Sequence, residues 1–511
     1  MASRSGLALS SAFATILATQ AVAQSESAPL SAIPWLSESL DQPQPTAEPP
    51  ATPAKPIGRI TVRSLDETLP DASGLEKAEA FGLPPDLWSG SDPERLAELI
   101  ATMPAQQLPA MQRLFHTLMI AETRDPPVGD GSLLRARVDA LLGTAALADA
   151  RSLIERTGTT SPDMFRRWFD IALLTGTEDR GCATLDASPE LSPSYEARVF
   201  CLARVGRWTT AALTLETATA LGRIDMQSRD LLARFLDPEL FEGEPDLPLP
   251  EPITPLDYRL LEGIGERVPT QDLPLAFAHS DLRHVIGWKA QIVASERLVR
   301  DGAIDSKDLL TIYTTRRPSA SGGAWDRVAA IQALDIAINA GDTKSVARAL
   351  THCAPLMEEN GLEAALAHMM ALRLSRLALD GSAAQTAYEL ALVSNSGAAF
   401  LPPDDSIEMP PHLQFASAVA LDRLSEASPP DSRSAILAEV LLSGEVPVET
   451  KDMMRNGRVG EALLLALHDL ASGTETDPDD IARALNVLIA GGQETVARHA
   501  ALQFILLDQR A

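Results

Sequence analysis

Glycine residues separate pairs of amphipathic stretches at a nearly constant spacing in the first half of this chain. Gly143, Gly176 and Gly206 follow one another at intervals of 33 and 30 residues, and each lies between two such stretches. A period in the low thirties is typical of stacked helix–turn–helix units, because each unit buries its apolar face against the next. The spacing therefore predicts an all-α fold.

The same pattern recurs in the second half, where a glycine ends one helix and a polar residue opens the next. The recurrences are "AINAGDTKSVARALTHCAPL", "RLALDGSAAQTAYELALV", "MMRNGRVGEALLLALHDLASG" and "LNVLIAGGQETVARHAALQFILL". The pattern resembles the tetratricopeptide-type helical-repeat family, and it is similar to uncharacterised exported Ala-rich bacterial proteins. The resemblance implies an α-solenoid of stacked helical hairpins.

The first residues have the pattern of a secretory signal. Arg4 precedes a modest apolar run over residues 7–18, and the small residues Ala21-Val22-Ala23 follow it. A cation, an apolar run and a small-residue cleavage site together are typical of a cleavable signal peptide. We therefore expect an exported, periplasmic protein.

Residues 24–80 are rich in proline, alanine and acidic residues, a composition that favours a disordered tether. The tether contains one apolar island, Ile33, Trp35, Leu36 and Leu40, in which three aliphatic residues fit one face of a short helix. Two interpretations of this island stay open. It either folds back onto the first helices of the same chain or docks onto a partner.

Two Pro-rich acidic interruptions divide the helical part of the chain. The predicted segments are a signal peptide (1–23), a Pro-rich disordered tether (24–80), an N-terminal helical repeat domain (81–236), an acidic Pro-rich linker (237–257), a middle helical domain (258–399) and C-terminal helical repeats (400–511).

Charge and composition exclude several kinds of partner. The formal charge of -27 over 511 residues argues against nucleic acid, because phosphate binding needs clustered cations rather than a repelling field. Aromatic residues make up only 4% of the chain, which argues against a carbohydrate groove built on stacked rings. After the signal, no apolar run reaches the roughly 18–20 residues of a membrane span, so we expect no transmembrane insertion.

The three cysteines fall into two kinds of position. Cys182 and Cys201 lie on helices that are neighbours in a stacked array, so we expect a disulfide between them in an oxidising compartment. Cys353 shares one helical face with Val346, Leu350 and Met357, which predicts a buried thiol rather than a nucleophile.

The sequence contains no recognisable catalytic, nucleotide-binding or metal-binding motif. His279 and His284 are five residues apart, whereas a zinc site on a helix prefers four. We therefore predict a non-enzymatic scaffold or adaptor with no cofactor, which binds a protein or peptide partner in the cell envelope. The alternative is the helical domain of a cell-wall-active system similar to lytic transglycosylases, without a catalytic domain of its own.

One loop stands out in so acidic a chain. Arg316 and Arg317 precede a flexible turn with Ser321, Gly322 and Gly323, after which a helix begins. One interpretation is a plain turn, in which Ser321 or a neighbour caps the helix. The other is an anion or partner site, in which the two arginines and the first backbone N–H groups of the helix bind a carboxylate or phosphate.

Overall fold

Short loops join many of the consecutive α-helices in the computed structural model. It describes residues 70–106, 108–124, 131–158, 161–394 and 409–507. The chain is all-α, as predicted, and the strands in the described ranges are two residues long.

The described residues contain 23 α-helices, connected by loops and 3-10 turns. Those before residue 240 are α1 (Pro93–Ala101), α2 (Pro109–Ile120), α3 (Ser132–Gly143), α4 (Leu147–Thr157), α5 (Pro162–Thr175), α6 (Glu178–Ala187), α7 (Tyr195–Arg204), α8 (Trp208–Ala220) and α9 (Met226–Leu236). Those between residues 250 and 400 are α10 (Pro255–Gly263), α11 (Ala278–Asp281), α12 (Trp288–Arg300), α13 (Ser306–Thr314), α14 (Ala324–Ala340), α15 (Thr343–Glu358), α16 (Glu363–Leu374) and α17 (Gly381–Val393). Those after residue 409 are α18 (Pro411–Ala420), α19 (Ser432–Ser443), α20 (Val448–Arg455), α21 (Val459–Asp469), α22 (Pro478–Ala490) and α23 (Glu494–Leu507).

Polar residues followed by proline start several of these helices. The Asp92 carboxylate accepts a hydrogen bond from the backbone N–H of Arg95 at the start of α1. Thr254 and Asp257 form a reciprocal capping box at the start of α10. Such side chains satisfy N–H groups that have no partner within the helix, so these starts were predictable from the sequence.

Most helices adjacent in sequence pack against each other, and the two ends of the helical region also meet. Helix α1 contacts α21, and α2 contacts both α21 and α23. Residues Glu67–Ala511 form one compact unit, in which nearly all buried apolar side chains belong to one continuous core. The segment boundaries drawn from the sequence stay predictions.

Two glycines allow the backbones of the N-terminal and C-terminal helices to approach closely. The N–H of Gly460 donates to the carbonyl of Leu87 over 2.9 Å, and the N–H of Gly90 donates to the carbonyl of Gly457 over 3.1 Å. A Cβ at Gly460 would lie 2.3 Å from ring carbons of Trp88, which is closer than real contacts allow. This junction therefore requires glycine at position 460.

A buried arginine fixes the segment that precedes α1. Strand β1 (Glu76–Lys77) pairs in parallel with strand β2 (Ala121–Glu122), next to Arg137 of α3. The Arg137 guanidinium donates to the carbonyls of Ser73 over 2.8 Å and Ala121 over 2.7 Å. Burial lowers the pKa of Arg137 to about 10, but the group stays charged at neutral pH. These bonds join β2 and the segment before β1 to α3.

The disulfide expected between Cys182 and Cys201 is present. It joins α6 to α7, and the two Cα atoms lie 4.7 Å apart. Cys353 is buried in α15, as predicted, and burial raises the pKa of its thiol to about 12. Such a thiol is uncharged at neutral pH and unsuited to nucleophilic attack.

Replacing both bridged cysteines with serine is expected to lower the free energy of unfolding by about 3 kcal/mol, because the bridge restricts the unfolded chain. The sequence separation of 19 residues closes a loop of moderate length. Urea unfolding of the double variant measures the change, with Cys353→Ser as the variant that leaves the bridge intact. An unchanged midpoint in the double variant would refute a stabilising role for the bridge.

Within the described residues, no helix has the length and apolar character needed to cross a membrane.

Candidate anion-binding pocket

Arg316 and Arg317 lie immediately after α13, where both side chains are exposed. They line a pocket of about 780 Å³, together with Ser319. This volume lies in the range of ordinary ligand sites, which is about 300–1,000 Å³.

The pocket is predominantly cationic. Its walls include α10 and the loop after it, α12, the loop after α13 and the first turn of α14. Its five cationic side chains are Arg267, Lys289, Arg297, Arg316 and Arg317. In the part of the chain that the structure describes, Arg267, Lys289, Arg316 and Arg317 form no ion pair with a carboxylate. These four charges therefore face the pocket without a neutralising partner.

Arg297 has a structural role in the wall. Its guanidinium donates to the carbonyl of Thr270 over 2.7 Å and to the carbonyl of Leu273 over 2.6 Å. These bonds hold the loop after α10 against α12. Because carbonyl groups carry no net charge, the positive charge of Arg297 still contributes to the potential in the pocket.

The two acidic residues in the lining are already engaged. Glu262 accepts hydrogen bonds from Arg283, over 2.5 Å, and from Arg259. Burial of Glu262 opposes its ionisation, but these two guanidinium groups outweigh that effect and hold its pKa below the ordinary value. Asp281 accepts a hydrogen bond from the hydroxyl of Thr270. The charge of Glu262 is compensated by these two guanidinium groups, whereas the charge of Asp281 stays in the lining, where the five cations still outnumber the two acids.

The amino terminus of α12 also faces the pocket. Gly287 occupies the N-cap position, and no side chain caps the helix. The lining includes the first residues of this helix, Trp288, Lys289 and Ala290. Because the aligned peptide dipoles place partial positive charge at this end, the helix adds to the attraction of an anion.

Two tryptophans contribute aromatic surface to the lining. Trp288 is 8% exposed, and its indole N–H donates to the carbonyl of Ile312 over 2.9 Å. The ring of Trp325, in the first turn of α14, lies 5.2 Å from that of Trp288 between centroids. Trp325 is partly exposed and faces the same pocket as the arginines. The site therefore combines positive charge with aromatic surface.

The structure separates the residues that the sequence grouped in this loop. Arg316 and Arg317 line the pocket, whereas Ser321, Gly322 and Gly323 do not. Gly323 is the N-cap residue of α14, Ser321 does not cap it, and the carboxylate of Asp326 accepts the N–H of Gly322 over 2.9 Å. Neither α12 nor α14 has a side-chain cap at its start. The start of α14 lies next to the carboxylate of Asp326, whereas the start of α12 lines the pocket that contains the two arginines.

Sequence reasoning missed the part of the site that comes from distant segments. Arg267, Lys289 and Trp288 belong to stretches that the sequence did not associate with the loop at Arg316. The available signal was weak: Trp288 and Trp325 are two of only six tryptophans, and they flank the arginines on either side. The predicted docking motif, Ile33, Trp35, Leu36 and Leu40, lies outside the described residues.

The fold and this pocket define an all-α protein with a cationic, tryptophan-lined pocket. Comparison with known proteins finds no matching family model, no similar curated protein and no similar solved structure.

Proposed function

We propose that this protein is a non-enzymatic, exported helical-repeat adaptor that binds an acidic segment of a protein partner in the cell envelope. Its helical pairs form a scaffold of the tetratricopeptide type, and the pocket between α10 and α14 is the binding site.

The four cations without carboxylate partners carry this proposal. On a chain with a formal charge of -27, carboxylates are plentiful, yet four cations of one pocket form no ion pair with a carboxylate of the described residues: Arg267, Lys289, Arg316 and Arg317. Like charges held together repel one another, and an anionic ligand relieves that repulsion. A short acidic peptide places several carboxylates within reach of such a cluster.

The surrounding charge favours a peptide over a nucleic acid. Nucleic acid extends far beyond one pocket and would meet the negative field of the rest of the chain. An acidic segment a few residues long places its charge inside the pocket, where the local potential is positive.

The carboxylates of the pocket support a binding role rather than a catalytic one. A general acid needs a raised pKa, whereas the two guanidinium groups at Glu262 hold its pKa below the ordinary value. Asp281 is engaged by the hydroxyl of Thr270. Both residues are arranged to orient the pocket walls.

The proposal of export rests on the signal-like first residues and agrees with the disulfide between Cys182 and Cys201. Disulfides persist in oxidising compartments such as the periplasm and are rare in the cytosol.

Removing the two arginines is expected to weaken binding of a labelled hexaglutamate peptide at least about tenfold, which corresponds to about 1.4 kcal/mol. The change is Arg316→Ala with Arg317→Ala, and fluorescence anisotropy at about 0.15 M salt, where the Debye length is about 8 Å, measures the dissociation constant. Both side chains are exposed, so the melting temperature stays the same.

A matched control separates local charge from net charge. Arg198→Ala with Arg223→Ala removes the same number of positive charges from exposed positions outside the pocket. This control is expected to keep the affinity within about twofold, since exposed charges more than a Debye length away are screened. Equal weakening in both double variants, or none in the first, contradicts the proposal.

A further inference from the structure

We infer that the acidic segment bound in this pocket carries an aromatic side chain that packs against Trp325. This inference rests on the proposed function and specifies the class of segment that the pocket selects.

The lining is larger and more apolar than carboxylate binding alone requires. Cations and an uncapped helix end suffice for an anion, yet the same pocket includes Trp288, Trp325, Val293 and Ile286. A volume of about 780 Å³ also exceeds the space that one or two carboxylates occupy. The remaining space is bounded by indole and aliphatic surface.

The two tryptophans differ in their freedom to contact a ligand. Trp288 is 8% exposed and its N–H is bonded to Ile312, so its ring is fixed as the floor of the site. Trp325 packs on it at an interplanar angle of 54°, with part of its ring exposed to the pocket. A third ring can therefore pack on Trp325 in the offset or edge-to-face arrangement that aromatic pairs prefer.

Arg316 and Arg317 immediately precede the turn that leads into Trp325. The chain runs from these arginines through the turn at Gly322 and Gly323 to the indole within nine residues. All three side chains line the same pocket. A ligand with a carboxylate next to an aromatic residue can therefore contact the arginines and Trp325 at the same time. An acidic segment without a ring leaves the indole surface exposed to water.

Two labelled peptides of equal charge test this inference on the unaltered full chain. The probes are Glu-Glu-Phe-Glu-Glu and Glu-Glu-Ala-Glu-Glu, compared by fluorescence anisotropy in the same buffer. The phenylalanine peptide is expected to bind at least about fivefold more tightly, because burying a ring on the indole removes apolar surface from water. Equal affinities overturn the inference but leave the proposed function in place.

Variants of Trp325 test whether the tighter binding of the phenylalanine peptide depends on this side chain. Trp325→Ala is expected to reduce the advantage of the phenylalanine peptide to less than about twofold, while the alanine peptide keeps its affinity. Trp325→Leu keeps an apolar side chain of smaller volume without a ring, and its melting temperature checks that loss of folding does not cause the change. The control Trp208→Ala removes an exposed tryptophan on α8, outside the pocket, and is expected to preserve the advantage.

The outcomes separate the two claims. An advantage that survives in Trp325→Ala overturns the inference, even if both peptides still depend on Arg316 and Arg317. Failure of both peptides to bind the unaltered chain contradicts the proposed function itself.

Discussion

Replacing Glu296 with alanine is expected to lower the free energy of unfolding by about 3–5 kcal/mol, which is the usual cost of removing one partner from a buried ion pair. Glu296 of α12 is 3% exposed and Arg327 of α14 is 9% exposed. The carboxylate accepts two hydrogen bonds from Arg327, over 2.9 and 2.5 Å, and one from the hydroxyl of Tyr313, over 2.7 Å. The substitution leaves a buried guanidinium and a buried hydroxyl without this acceptor.

Chemical denaturation of Glu296→Ala measures this loss, and Glu98→Ala is the matched control. Glu98 pairs with Arg95 on the surface of α1, where both side chains are largely exposed. An exposed pair contributes at most about 1 kcal/mol, so the control is expected to change little. A change of less than about 1 kcal/mol in Glu296→Ala would show that the buried pair is not essential to stability.

The same contacts explain why Arg327 belongs to the scaffold and Arg316 does not. Glu296, Tyr313 and Arg327 join α12, α13 and α14, which form walls of the cationic pocket. The charge of Arg327 is neutralised by Glu296, whereas Arg316 has no carboxylate partner among the described residues. Loss of Glu296 is therefore expected to disturb the pocket through its walls.

The protein is expected to lose stability as the pH falls from about 6.5 to about 4, in part through His499. Burial, and then the neighbouring Arg113 cation, lower the pKa of His499 to about 4. Its Nδ1 lies 2.9 Å from the Arg113 guanidinium, and its Nε2 lies 2.7 Å from the carbonyl of Val393. The ring is therefore neutral in the folded protein, accepting from Arg113 and donating to Val393.

Stability falls as the pH falls, because the unfolded chain binds a proton at His499 at a higher pH than the folded protein does. In the unfolded chain a histidine takes up a proton near pH 6.5, whereas folded His499 resists until about pH 4. Its contribution to stability is complete above pH 6.5, declines as the pH falls and levels off below pH 4. Across this range the loss is about 3 kcal/mol.

A second histidine contacts the same arginine. Arg113 of α2 lies 2.6 Å from the Nε2 of His368 of α16, and burial lowers the pKa of His368, with Asp305 opposing that shift. The side chain of His368 is more exposed to solvent than that of His499, so its contribution is smaller. This cluster joins α2, α16 and α23, so acid is expected to weaken the contact between the two ends of the helical region.

Unfolding free energies of the unaltered chain and His499→Gln, measured from pH 7 to pH 4, test this prediction. Glutamine does not titrate, so the difference in stability between the two proteins is expected to shrink by about 3 kcal/mol over the interval. His284→Gln, at an exposed position, serves as the control. A difference between His499→Gln and the unaltered chain that stays constant with pH would contradict the prediction.

Helix periodicity and capping residues predicted the helices from the sequence, but they did not predict the contact between the N-terminal and C-terminal helices. The caps at Asp92 and Thr254 depend on residues within one turn, and the disulfide depends on neighbouring helices, so both were accessible. The junction at Gly460 and Trp88 joins residues far apart in sequence. No periodic pattern encodes such a contact.

The candidate site was predictable only in part, for the same reason. Arg316 and Arg317 stood out because cations are unusual in so acidic a chain. Lys289, Arg267 and Trp288 join them only through the packing of α12 against α13 and α14. The sequence prediction placed the anion at the helix start that follows Ser321, Gly322 and Gly323, because these residues are close to the arginines in the chain. In the structure, the helix start that lines the pocket without a side-chain cap is that of α12.

Site-specific photocrosslinking in intact cells tests the central claim, that the cationic pocket binds an acidic segment of a partner. A photoreactive residue in place of Ser319 sits in the pocket lining without removing a cation, and one in place of Thr209 on α8 is the control. The proposal predicts an adduct from position 319 that maps to an acidic stretch of another envelope protein. It also predicts that Arg316→Ala with Arg317→Ala abolishes this adduct. Adducts that map to segments without acidic residues, that persist without the two arginines, or that form equally from position 209 would contradict it.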